Sequence, residues 1–141
     1  MRNMKAIHMA KLFATQAHGS QQYGREPYFV HLQAVADMVV RLGGDDLAER
    51  AAWLHDVVED TDVTIEQLVE HFDVKVVIAV QLLTKKPDVI YEDYIARIRE
   101  NPLALLVKKA DTLCNLIQST LQGNRKRIMK YTTQLQLLTA E

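Results

Sequence analysis

The stretch "AAWLHDVVEDT", residues 51–61, decides how this chain is read. Within it Ala51, Leu54, Val57 and Val58 recur at the three- and four-residue spacing of a helix with one apolar face. Set among them are His55, Asp56, Glu59 and Asp60, with Asp62 just beyond. Carboxylates and an imidazole beside this much apolar surface are costly to bury unless something binds them. On a helix His55 and Glu59 are four apart, Asp56 and Glu59 three apart, and Asp56 and Asp60 four apart. The spacing therefore gathers these side chains towards one region. A divalent cation turns such burial into ligation. Imidazole and carboxylate donors suit manganese through zinc, and carboxylate-rich sets lean towards manganese or magnesium.

Two further stretches supply matching donors. "PYFVHLQAV" (27–35) puts His31 near the start of an apolar helix, and "LLVKKADTLCNLI" (105–117) puts Asp111 inside another, with Asn115 one turn later. Each has an ordinary explanation when taken singly. His31 alone reads as a hydrogen-bonded core histidine, and Asp111 alone as the ion-pair partner of Lys108 or Lys109. Asp60 and Asp62 alone read as caps for the next turn. Three such positions on three separate apolar helices point to one shared site.

Outward from these segments the chain reads as helix almost throughout. Residues 4–17, 28–42 and a segment from Asp45 or Asp46 through Val58 carry apolar residues at helical spacing, and "GG" (43–44) separates the last two. Thr64 followed by Gln67 forms a capping-box pattern for a helix over 65–72. Residues 74–84 and 90–100 give two more helices, separated by Pro87. Pro102 suits the first turn of a long helix over 102–121, and Gly123 precedes a last one over 124–138. "HGSQQYGREP" (18–27), with two glycines and a proline, reads as a loop. The run "VKVVIAV" (74–80) has β-propensity, but its neighbours favour helix. The expectation is an all-α bundle of about seven or eight helices in one domain, residues 1–141.

Composition narrows the function classes. The 141 residues are 48% apolar and 25% charged, with a formal net charge of −1. That balance gives no basis for bulk electrostatic binding to nucleic acid or to anionic membrane. No segment approaches the roughly 20 apolar residues of a membrane helix. One cysteine, Cys114, rules out an internal disulfide, so a reducing cytoplasm is the expected location. The only support for a nucleic-acid- or protein-binding module is "NRKRIMKY" (124–131), which reads as the solvated face of the last helix.

The order His31, then His55-Asp56, then Asp111 resembles the H…HD…D signature of HD-domain metal-dependent phosphohydrolases. "AAWLHDVVEDTDVTIEQLVEHF" (51–72) is similar, more closely, to the hydrolase domain of the RelA/SpoT homologues, the enzymes of the guanosine tetra- and pentaphosphate alarmones. Supporting matches are "QAHGSQ" (16–21), "PYFVHLQAVA" (27–36), "LLTK" (82–85) and "VKKADTLCNL" (107–116), so the resemblance covers roughly residues 8–120. It implies an all-α HD fold and a nucleotide pyrophosphohydrolase that uses Mn²⁺. By the same resemblance His31, His55, Asp56 and Asp111 are metal ligands, Glu59 and Asp60 are the catalytic pair, and Asn115 contacts the nucleotide sugar. Tyr94, Lys108 and Tyr131 are expected substrate neighbours. The chain is too short for the synthetase domain that the larger proteins also carry, so a free-standing small hydrolase is expected.

The chain departs from the family pattern in three places. The loop "QQYGREPY" (21–28) is short and holds only Arg25 where the family carries a basic pair, so Tyr23 and Arg25 become the expected substrate contacts there. Cys114 stands where a histidine commonly precedes the asparagine, and Lys109 where an apolar residue is usual. These changes spare the metal residues and bear on the substrate. The enzyme alternative is a phosphatase of another nucleotide, such as a nucleoside monophosphate or a phosphorylated dinucleotide cofactor. Oligomeric state is not legible in the sequence.

Overall fold

A computed structural model describes residues 2–141. The helices are α1 (Met4–His18), α2 (Tyr28–Arg41), α3 (Asp46–Leu54), α4 (Val57–Asp60), α5 (Ile65–His71), α6 (Val74–Leu83), α7 (Tyr91–Arg99), α8 (Pro102–Leu121) and α9 (Arg125–Thr139). Eight are substantial, and α4 is a single turn, in agreement with the all-α reading. Their starts follow the side chains available for capping. Asn3, Asp45, Asn101 and Asn124 each accept a backbone N–H at the head of α1, α3, α8 and α9. Of the two aspartates that suited the head of α3, Asp45 is the cap. Thr64 and Gln67 complete the expected capping box of α5. Pro102 opens α8, where its missing N–H has no intrahelical acceptor to lose.

Two local features differ from the sequence reading. The loop at 18–27 folds into a small antiparallel hairpin, β1 (Gln22–Tyr23) and β2 (Glu26–Pro27), with Gln22 opposite Pro27 and Tyr23 opposite Glu26. Gly24 turns it at φ 61°, a backbone that L side chains rarely adopt. The second difference lies within residues 51–61. It is not one helix: α3 stops at Leu54, Asp56 sits at φ −105°, ψ 0°, and α4 resumes at Val57. Apolar periodicity survives such a break, because the residues on both sides still bury their apolar members.

The core forms where α2, α3, α6 and α8 meet, with α1 against α2 and α3, and α9 laid along α8. Trp53, Leu54, Leu32, Val35, Val39, Val57, Val80 and Val107 are fully enclosed. "VKVVIAV" lies in α6, where Val76, Val77, Ala79 and Val80 are buried, so tertiary packing overrides its β-propensity. Four polar residues that the apolar helices carry inward, His31, His55, Asp111 and Asn115, are buried with this core and collect on one side of it.

Candidate metal centre and active-site cleft

His55 closes α3, and its ring is pinned from below. Its Nδ1 lies 2.6 Å from the Ala52 carbonyl oxygen, so Nδ1–H donates there and Nε2 turns to the cluster. Nε2 is 3.0 Å from Asp56 Oδ2 and 3.4 Å from Asp111 Oδ1. Neither contact is aligned as a hydrogen bond, and this buried nitrogen has no hydrogen-bond partner. From α2, His31 Nε2 meets Asp111 Oδ1 at 2.9 Å. Asp111 also accepts from Asn115 Nδ2 at 3.2 Å and from Lys108 Nζ at 3.4 Å. Asp56 accepts a hydrogen bond from the Tyr28 hydroxyl at 2.5 Å.

His31, His55 and Asp111 each bring one ligand-type atom to within 4.8 Å of the others. Asp56 joins through the short approach of its Oδ2 to His55. Two imidazoles and one carboxylate converge, the Asp56 carboxylate stands beside His55, and one imidazole nitrogen faces the point of convergence with no aligned hydrogen bond. This donor set fits a divalent cation, which would take up the lone pairs that protein groups leave unused.

The electrostatics agree with a site built around positive charge. Burial disfavours ionised Asp111, but Lys108, His31 and His55 outweigh it and hold the carboxyl well below the usual carboxylate range. Burial likewise works against charging His55, yet Asp56 and Asp111 overcome it and push the imidazole well above its ordinary value. Burial raises Asp56 as well, and His55 and the Tyr28 hydrogen bond bring it below the ordinary value.

A cleft of about 260 Å³ opens over the cluster. Asp56, Glu59 and Asp60 form its acidic side, and Lys108, Arg127 and Lys130 its basic side. Tyr23, Tyr28, Tyr131 and Asn115 stand between them. The Glu59 carboxylate accepts the Lys85 backbone N–H at 2.8 Å, and partial burial still raises its pKa above the ordinary value. Tyr23 stacks on His31 with ring centres 4.4 Å apart and donates to Asn115 Oδ1 at 2.6 Å. Burial pushes its hydroxyl up to about 12.

Ten of the twelve residues singled out in the sequence lie in or directly beneath this cleft. The other two do not. Arg25 lines a separate cavity of about 490 Å³ on the far side of Tyr23 and His31, with Val30, Ala34 and Cys114. Tyr94 is buried in the core, its hydroxyl donating to the Leu83 carbonyl at 2.8 Å, and it meets the site only through Lys108, whose Nζ lies 5.7 Å from its ring centre. The basic run at 124–131 needs correction. Arg125 and Lys126 are exposed as a solvated face requires, but Arg127 and Lys130 form part of the cleft wall. Positions 127, 130, 131 and 134 share one helix face, and Gln134 on that face is buried, so the spacing itself carried the signal. Tyr28 was also missed, because a tyrosine entering an apolar helix looks like packing.

Residues 10–92 match the family model described as HD domain. The chain belongs to the HD-domain family. The match spans His31, His55, Asp56, Glu59 and Asp60, while Asp111 lies beyond it. Among curated proteins, the chain is 36% identical over 142 residues to a guanosine-3′,5′-bis(diphosphate) 3′-pyrophosphohydrolase of Aquifex aeolicus, covering 92% of this chain and 20% of that protein. A protein of the same name from Haemophilus influenzae is 34% identical over 138 residues, covering 88% of this chain and 20% of the other. The HD-domain chain thus spans about a fifth of the length of these two relatives. A solved structure described as a metazoan orthologue of SpoT that hydrolyses ppGpp superposes with a TM-score of 0.76 at 25% identity, covering 96% of this chain and 86% of that one.

Proposed function

We propose that this chain is a metal-dependent phosphohydrolase that removes the 3′-pyrophosphate of guanosine 3′,5′-bis(diphosphate). The observation that carries the reading is the convergence of His31, His55 and Asp111, with Asp56 beside His55, beneath a cleft with one acidic and one basic wall. The names borne by the curated relatives and by the structural neighbour support the substrate. His31, His55, Asp56 and Asp111 are the residues that would hold the ion, and Mn²⁺ is the ion we expect. When bound, such an ion lowers the pKa of water and polarises a phosphoryl oxygen.

The remaining roles belong to the chain's own groups. Glu59 and Asp60 orient the attacking water and take its proton. The water oxygen adds to the phosphorus next to the ribose, the bond from that phosphorus to the 3′-oxygen breaks, and the proton taken from the water passes back to that oxygen, giving a 3′-hydroxyl and free pyrophosphate. Lys108, Arg127 and Lys130 offset the phosphate charge. Asn115, Tyr23 and Tyr131 contact the nucleoside, and Arg25 reaches it only from the adjoining cavity. Residues 1–141 act as one domain, and the single cysteine suits a cytoplasmic setting.

A second reading changes only the substrate, to a nucleoside monophosphate or a phosphorylated dinucleotide cofactor. It rests on the loop at 20–27, whose one arginine lines the neighbouring cavity in place of the cleft. The test is a panel of these nucleotides with Mn²⁺, following pyrophosphate and phosphate release. Pyrophosphate from the alarmone and from no other member supports the first reading. Phosphate release from another nucleotide, with the alarmone inert, replaces it with the second.

A further inference from the structure

The hairpin side of the cleft holds a buried histidine that neither the core nor the metal cluster uses. His18 ends α1 and is 6% exposed. Its Nδ1 lies 2.8 Å from Gln21 Oε1, and its Nε2 is buried with no partner. The Gln21 amide in turn donates from Nε2 to Asp60 Oδ2 at 3.1 Å. A carboxylate only accepts, so the amide must present its NH₂ to Asp60 and its oxygen to His18. The imidazole therefore carries its proton on Nδ1.

Both members are held in place. The Gln21 backbone donates to the His18 carbonyl at 3.0 Å and accepts from the Tyr28 N–H at 3.0 Å. The His18 ring stacks on Tyr28 with centres 4.6 Å apart at 29°. Tyr28 is itself the hydrogen-bond donor to Asp56. An imidazole with an unpartnered nitrogen is a poor choice for filling a core, and an apolar side chain would do that better. What the ring does supply is a fixed donor that sets the direction of the Gln21 amide.

We propose that His18 and Gln21 are positioning residues for Asp60: the imidazole orients the Gln21 amide, and the amide holds the Asp60 carboxylate at the angle from which it serves the attacking water. The proposal rests on the hydrolase reading for the role of Asp60. Without the amide, an exposed aspartate at the end of a one-turn helix samples several rotamers, and only some of them face the reacting water.

Two measurements test it, one of them independent of turnover. Long-range ¹H–¹⁵N NMR on the metal-free protein should show His18 as the Nδ1-protonated tautomer, and Asp60→Ala should shift the Gln21 side-chain amide protons. An Nε2-protonated His18, or Gln21 amide signals unmoved by Asp60→Ala, overturns the proposal whether or not the chain hydrolyses any nucleotide. In single-turnover kinetics, Gln21→Leu and His18→Leu should each lower kcat about tenfold to a hundredfold, the size of one hydrogen bond to a charged group. KM and bound metal should stay as in the parent. His18→Asn, whose amide nitrogen can stand in for Nδ1, should restore most of the loss, which a purely structural histidine would not predict. Near-parental kcat in Gln21→Leu, or equal defects in His18→Leu and His18→Asn, refutes the positioning role. A parent protein with the expected tautomer and amide shift but no hydrolysis sinks the hydrolase reading and leaves the Asp60 tether standing.

Discussion

Replacing Asp111 with alanine tests the proposed metal centre through stability. Asp111 is the carboxylate on which three basic groups converge: His31 at 2.9 Å, His55 at 3.4 Å and Lys108 at 3.4 Å. In the parent protein, Mn²⁺ at about 100 times its dissociation constant adds about 2.7 kcal/mol, because the ion binds the folded chain and not the unfolded one. For a chain of 141 residues, that raises Tm by roughly 8–10 °C, at about 3–4 °C per kcal/mol. Asp111→Ala removes one donor and should abolish the rise. It also leaves Lys108, whose side chain is only 16% exposed, without its carboxylate. Breaking one side of a buried pair costs about 3–5 kcal/mol, and the low end applies because Lys108 can lean towards the cleft opening. The metal-free variant should therefore melt roughly 10 °C below the metal-free parent. The assay is a thermal melt with and without Mn²⁺, beside elemental analysis of bound metal. A variant that keeps the parent's full Mn²⁺-dependent rise would refute Asp111 as a ligand.

Three other substitutions probe the cleft. Glu59→Gln and Asp60→Asn should retain metal while single-turnover hydrolysis falls on the order of 10²–10⁴-fold, as loss of a general base requires; normal turnover in the double variant would place the base elsewhere. Because partial burial raises the Glu59 pKa, the protonated, inactive form persists to higher pH than for an ordinary glutamate. The rate should fall as pH drops through that raised value, and the pH–rate profile of Glu59→Gln should lack this limb. Tyr28→Phe removes the hydroxyl that donates to Asp56, and isothermal titration should find Mn²⁺ bound about 10–100-fold more weakly, with the fold intact by circular dichroism.

Much of the site was legible because polar residues in apolar helices are conspicuous. His31, His55 and Asp111 stood out for that reason, and each lies where its helix turns inward. Arg127 and Lys130 were hidden by their neighbours. A run of four basic residues looks like a solvated surface, and only the face shared with buried Gln134 separates two of them from the rest. Arg25 is the opposite case. A lone arginine in a loop beside the site invites a phosphate, but the hairpin turn at Gly24 sends it to the other side of Tyr23. His18 and Gln21 sat in a quoted motif with no visible task, since their partner Asp60 lies 39 residues beyond Gln21.

The sequence by itself determined the helices, their caps and which face of each would be buried, because those depend on spacing and capping within a turn or two. It also determined the chemical inventory: two imidazoles and two carboxylates carried inward, with further carboxylates beside them. Tertiary structure decided what that inventory became. His31 and Asp111 are 80 residues apart in sequence and 2.9 Å apart in space, a distance set only when α2 and α8 pack on α3. The break at His55-Asp56, the hairpin that lays Tyr23 on His31, and the turning of α9 towards the cleft were decided in the same way. An apolar face states that it must be covered. It does not state by what, and the geometry of a site made from five separate segments is fixed only by the answer.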